Sequence, residues 1–245
     1  MSVAPCPATC ARSTFRHAAP DDGHGGRAAG GLGASRRTAR IRAEILLCRP
    51  CLSEPYEARY SGAVILAQSF ETIVQWMRDN GAASIVDNLA PGATPAALDA
   101  GEAMFGFPIT GELAALWAIH DGQREEAHGF IEYYDLCSMQ LARVSAEDIY
   151  FALEMILPGD EVVASGLTEP ERASKKWVRL AGRDSDGYAV NAESGRVFAL
   201  AHDEVPPLKL VAPSISAWLA DYAARVLAGG YDVEDGLGDV YLSRR

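Results

Sequence analysis

The side chains in this 245-residue chain most suited to chemistry are two His-Asp pairs, His120-Asp121 and His202-Asp203. An imidazole beside a carboxylate can move a proton or, with a third ligand such as Glu132, hold a metal ion. The two pairs sit on unrelated turns, so a hydrolase using His120 or His202 requires nearby acids to converge on one of them. A simpler reading places His120 at a helix C-terminus, where an imidazolium suits the dipole. His202 then falls at a strand end beside solvent. Asp184 and Asp186 form D-x-D-G, yet DSDGYAVNAESG lacks the ligand register of an EF-hand loop. A tight acidic hairpin turn accounts for them. No nucleophile elbow, metalloprotease helix, P-loop or G-x-G-x-x-G occurs. The chain therefore reads as a non-enzyme, with no cofactor and no metal expected.

Four of the five cysteines, Cys6, Cys10, Cys48 and Cys51, lie in the first 60 residues. Their spacing is compatible with zinc, but the Gly-, Ala- and Arg-rich segment between them offers no ordered surroundings for a metal. Cys137 stands alone in the body, which fits a reducing compartment and no disulfide framework.

Composition is that of a globular protein, 49% hydrophobic and 22% charged. No long apolar run or signal peptide is evident, so a cytoplasmic location is expected. The net charge of −11 conceals an asymmetry. Residues 1–60 hold nine Arg and no Lys against five acids, a net of +4, whereas residues 61–245 hold 13 cations against 28 acids, a net of −15. An acidic body disfavours nucleic acid and anionic membrane and steers basic partners inward.

The elements that must position these groups begin after a segment, 1–60, whose composition predicts disorder. Its Arg-rich, Lys-free character also suggests a misassigned start; with no Met between Met1 and Met77, the native start would be a non-Met codon near Val64. From about Ser61 the chain shows helical spacing. Phe70, Ile73, Val74 and Met77 form one stripe; Thr94-Pro95 opens a second helix, and Thr110 opens a third that ends at His120-Asp121-Gly122-Gln123. Ser145 and Asp148 resemble a capping box before Ile149, Leu153 and Ile156. GFIEYYDL reads as a strand and LTEPERASKK as a polar loop. KWVRLAG, YAVNA, RVFAL and LKLVA read as strands joined by short turns. Ser214 caps an amphipathic helix through Trp218 and Tyr222. Residues 233–245 read as a frayed acidic tail. Helices, then an antiparallel meander, then a helix is an α+β pattern with a central, mostly antiparallel sheet.

That order of motifs resembles the SUKH superfamily, of the cell-wall-assembly-regulator type. The resemblance spans roughly residues 70–232 and rests on Glu102, Phe107-Pro108 in place of Leu-Pro, Gly122-Gln123, Trp177, Asp186-Gly187, Gly195 and Ser214. Ile215 replaces the family's Phe, and the long insert 127–176, with its helix around Ile149, lies outside the minimal pattern. The resemblance implies an α+β domain, 61–232, that binds proteins without turnover. Bacterial members are commonly immunity proteins that occlude a cognate toxin, and fungal members are regulators or scaffolds of cell-wall synthesis and signalling. The expected partner is a basic toxin domain. The expected contact residues are Asp184, Asp186, Glu193, Asp203 and Glu204 around aromatic anchors at Trp177 or Tyr188. Neither the partner's identity nor the oligomeric state is written in these motifs.

Overall fold

The fold is described by a computed structural model covering residues 54–124, 129–156, 159–236 and 239–245. The expected disorder of the segment 1–60 and its four cysteines fall almost wholly outside the described residues. The first helix, α1 (Glu54–Asp79), starts earlier than the stripe at Phe70 suggests. Three short helices follow: α2 (Ala83–Asp87), α3 (Pro95–Phe105) and α4 (Gly111–Ile119). Thr94 caps α3 as its sequence predicts, accepting from the Ala97 amide; Thr110 precedes α4 without a side-chain cap bond. At the start of α9 (Ile215–Leu227), Ser214 accepts from Ala217 N, and Glu112 of α4 also accepts from the Ser216 amide and hydroxyl. One carboxylate thereby joins α4 to the exposed amides of the α9 first turn.

The central sheet is an antiparallel meander in the order β1 (Asp135–Leu136), β2 (Trp177–Arg183), β3 (Asp186–Asn191), β4 (Val197–Leu200), β5 (Leu208–Ala212). The architecture is α+β, as expected. Alternating side chains feed two separate cores. Val178, Leu180, Tyr188, Val190 and Val197 pack with α1, α4 and α9, whose contribution includes Phe70, Trp117 and Trp218. Trp177, Ala189, Phe198, Leu200 and Leu208 pack with Ile149 and Leu153 of α6 (Ala146–Met155), with Ile156 just after it, and with Val162 and Leu167. The insert thus supplies the second helical layer. It comprises α5 (Met139–Val144), α6, α7 (Asp160–Ser165) and α8 (Glu169–Ala173). A sheet covered on both faces has little need of polar alternation, which explains why β2 and β3 are buried almost throughout.

The turn after α4 acts as a rack for the chain that follows. Gln123 Oε1 accepts from Leu136 N at 2.6 Å, Asp121 Oδ1 from Met139 N at 2.8 Å, and Trp117 Nε1 donates to Cys137 O at 3.2 Å. Gly122 has φ +72, and a Cβ there would lie 2.2 Å from Ser138 N, so the position requires glycine. His120 belongs to this rack too: its Nδ1 bonds Ala90 O and its ring stacks on Phe70.

Three readings of the sequence are corrected. The polar loop LTEPERASKK contains α8, opened by a capping box in which Thr168 and Glu171 bond each other's amides. GFIEYYDL is a strand only at Asp135–Leu136, because Ile131 and Tyr134 close a tight turn with Glu132 at φ +60. The supposed frayed tail is a hairpin, β6 (Tyr231–Gly236) with β7 (Asp239–Arg244), that buries Tyr231 and Leu242. Its anchor is Glu132. That buried carboxylate accepts from Tyr231 Oη at 2.9 Å and Arg244 Nε at 2.7 Å, while Tyr222 Oη accepts from Glu132 N and donates to Phe130 O. Burial pushes the phenols of Tyr222 and Tyr231 well above the usual tyrosine range, so both stay protonated as donors.

Deleting residues 231–245 removes both side-chain partners of Glu132. The expected result is a loss of about 3 kcal/mol or more in urea denaturation, because the burial of Tyr231 and Leu242 is lost together with the bonds to Glu132. A frayed tail would be removable with no change in midpoint.

Candidate functional site

The acids expected to bind a partner divide between the two ends of the sheet. Asp184 lies in the β2–β3 turn and Asp186 opens β3, while Asp203 and Glu204 lie in the β4–β5 loop at the same end. Glu193 lies in the β3–β4 turn at the opposite end. There the acids are already used. Glu193 accepts from Lys176 Nζ at 2.7 Å and Ser174 Oγ at 2.9 Å, and these bonds hold its carboxyl below the usual range. Glu171 is buried, which raises its carboxyl, but donors on Ser194, Thr168 and Arg196 outweigh burial and bring it down.

The other end is organised by Arg179. Strand alternation places it on the same face as Trp177, and its side chain is only 3% exposed. Nη1 donates to Asp148 Oδ2 of α6 at 3.0 Å, and Nη2 donates to the carbonyls of Asp184, at 2.7 Å, and Asp186. The capping box expected at Ser145 does not form, and Asp148 serves Arg179 instead. Nε is buried without a partner and abuts Gly182, where a Cβ would come within 2.1 Å. One guanidinium therefore binds α6 to the acidic turn and holds Asp184 at its left-handed φ of +50.

Asp186 in turn holds the β4–β5 loop: Oδ1 accepts from both His202 N and His202 Nδ1, each at 2.8 Å. This hydrogen bond, with the nearby charges of Asp186, Asp203 and Asp184, raises the imidazole above the usual histidine range. Asp186, His202 and Asp203 offer ligand atoms within 4.8 Å of one another, the one such group among the described residues. A metal there would first have to displace the bond that Asp186 already makes to His202 Nδ1.

Beside this end, α6 turns large apolar side chains outward. Ile149, Leu153 and Ile156 face the core, which leaves Phe151 (66% exposed) and Met155 (50% exposed), one turn apart, facing solvent. Val205 of the β4–β5 loop is 78% exposed. A cavity of about 200 Å³ between α6 and that loop is lined by Asp148, Phe151, Met155, Leu200, His202 and Pro207. Among the described residues no cation pairs with Asp184, Asp203, Glu147 or Glu154. Two roomier clefts, of about 440 and 580 Å³, are crossed by ion pairs of their own, Arg183 with Asp135 and Arg244 with Glu132.

The aromatic anchors expected at Trp177 and Tyr188 are overturned. Trp177 is 1% exposed, with its indole N–H donating to Glu171 O, and Tyr188 is 7% exposed against Trp218. Each faces a helical layer, so neither can touch a partner. Of the groups weighed for proton or metal chemistry, His120 serves the α4 turn and Glu132 the C-terminal hairpin, so the two His-Asp pairs lie apart, while His202 gathers Asp186 and Asp203 around it. Phe151 and Met155 carried a usable signal, since they are the apolar residues left over when the core stripe of α6 is removed. No family model matches this chain, and no curated protein matches it.

Arg179→Met should destabilise the protein by about 3 kcal/mol, because two carbonyls and a carboxylate lose one shared donor. Arg179→Lys should not restore it, since one ammonium cannot span three acceptors in the guanidinium's plane; recovery with Lys would contradict the geometry. For His202, the folded value lies above the unfolded value of about 6.5. Its contribution is thus complete below that pH and lost as pH rises through the raised value. NMR titration should show this elevation and its disappearance in Asp186→Asn; a wild-type value at or below the ordinary one would contradict the contact.

Proposed function

We propose that this chain is a non-catalytic protein-binding domain that captures a basic polypeptide at the α6 and β2–β3/β4–β5 end of the sheet. The carrying observation is the coincidence of exposed Phe151, Met155 and Val205 with the carboxylates of Asp184, Asp203, Glu147 and Glu154, which form no close ion pair among the described residues. Scattered surface hydrophobics are ordinary, but an apolar centre within a charged rim is the anatomy of a binding patch. The acids named at the opposite end, Glu193 and Glu171, are already neutralised by Lys176 and Arg196. Unneutralised carboxylates contribute to steering, and the body's net charge of −15 adds a long-range attraction.

The specific form of this reading is immunity: one-to-one occlusion of a cognate bacterial toxin whose active-site cleft is basic. The SUKH-like order of motifs supports it, as does a site whose loops are held by the Arg179 and Asp186 hydrogen bonds. A toxin cleft built to bind polyanionic substrate presents the Lys and Arg that such a rim attracts.

The test is charge reversal that spares the internal bonds. Asp184 and Asp203 are changed together to Lys, while Asp186 is kept because it holds His202. At low salt, association with a Lys/Arg-rich polypeptide partner should slow by about tenfold or more, with the salt dependence flattened. An unchanged association rate would remove this end from the interface.

A further inference from the structure

The acid-rimmed patch has a centre, and its dimensions and charge identify what fills it. We infer that the cavity between α6 and the β4–β5 loop takes a single large apolar side chain of a partner polypeptide, presented between Lys or Arg residues. This rests on the protein-binding reading above and names the chemistry of the bound segment.

Size argues first. Small-molecule pockets commonly run to about 300–1,000 Å³ and enclose their ligand. The cavity here is about 200 Å³, room for one Leu, Met or Phe side chain. Its walls suit such a side chain: Phe151, Ala152, Met155, Leu200 and Pro207 are apolar, and Met155 is flexible enough to close on guests of differing shape. Leu200 is buried, and Phe151 and Met155 form an exposed lip one helical turn long.

Charge then selects the occupant. Glu147, Asp148 and Glu154 flank the lip on α6, and Asp184, Asp203 and Glu204 flank it on the loops. The cations at this end are engaged: Arg179 with Asp148, Lys209 with Glu204, and His202 with Asp186. A second copy of this chain would set two acidic rims against each other, an arrangement that like-charge repulsion disfavours. Anionic membrane and nucleic acid are repelled for the same reason. A cationic polypeptide with an apolar anchor satisfies both the centre and the rim, as interface hot spots do when an anchor fills a pocket inside an excluding ring.

The full chain, carrying ¹³C-methyl methionine, is titrated with a short amidated Lys/Arg-rich peptide bearing a central Leu. The same peptide with Leu→Ser and a peptide with its cations replaced by Glu serve as comparisons. The expected result is a saturable shift of the Met155 methyl with the first peptide. Affinity should fall about tenfold on Leu→Ser or on Phe151→Ser, and binding should vanish with the Glu peptide. Because the shift is read on the unaltered protein, failure of Phe151→Ser to fold would leave that readout decisive. Equal binding of the Leu and Ser peptides with a silent Met155 would overturn the anchor while leaving acid-directed protein binding standing. No binding by any basic peptide would overturn both.

Discussion

Arg179 is the interaction on which this surface depends. A guanidinium withdrawn almost completely from water is costly unless its donors are met. Here Nη1 and Nη2 meet a carboxylate from the inserted helix and two carbonyls from the β2–β3 turn. Those three acceptors belong to two of the three elements that make up the candidate site, α6 and the β2–β3 turn. The cation consumes one negative charge, that of Asp148, and in doing so fixes the turn that displays Asp184. The next contact outward, Asp186 to His202, passes the same constraint to the β4–β5 loop. Acids, apolar lip and cavity are therefore held on one hydrogen-bonded frame, which lowers the ordering entropy that binding must overcome.

The frame stands on a sheet with two helical layers. One layer, from α1, α4 and α9, makes the larger core, and the α4 turn clamps the chain at 136–139 through Asp121 and Gln123. That clamp positions β1 and α5, and α5 leads directly into α6. The His-Asp-Gly-Gln sequence, which looks like a catalytic fragment, is in this way a structural joint. The second layer is the insert itself. By covering Trp177 and Phe198 it completes the second core, and its outward face supplies Phe151 and Met155.

How far the sequence reveals this can be followed residue by residue. Strands β2 to β5 were legible because β-branched and aromatic runs were separated by short polar turns. The caps at Thr94 and Ser214 were legible because their partners are local. Thr168-Glu-Pro-Glu171 carried a capping signature, and Tyr231, Val233, Val240 and Leu242 carried strand alternation around an Asp-Gly. Polar and acidic composition outweighed both signals, since local charge says little about whether a distant group such as Glu132 awaits a partner. Trp177 misled for a related reason. Its alternation with Arg179 suggests a solvent-facing side, whereas the arginine is buried, with both Nη atoms bonded to residues five to thirty-one positions away. The acids at 184, 186, 203 and 204 share one end of the sheet, and Glu193 was not separable from them without knowing which loops lie at that end.

Hydrogen exchange on the full chain with and without the Lys/Arg-rich Leu peptide tests the central claim most directly, because it locates the interface without altering a residue. Binding at the acid-rimmed patch should protect amides in 147–155, 184–186 and 201–207 while leaving 192–196 and the C-terminal hairpin unchanged. Protection confined to the 192–196 turn or the hairpin, with α6 and the β4–β5 loop exchanging as in the free protein, would contradict it.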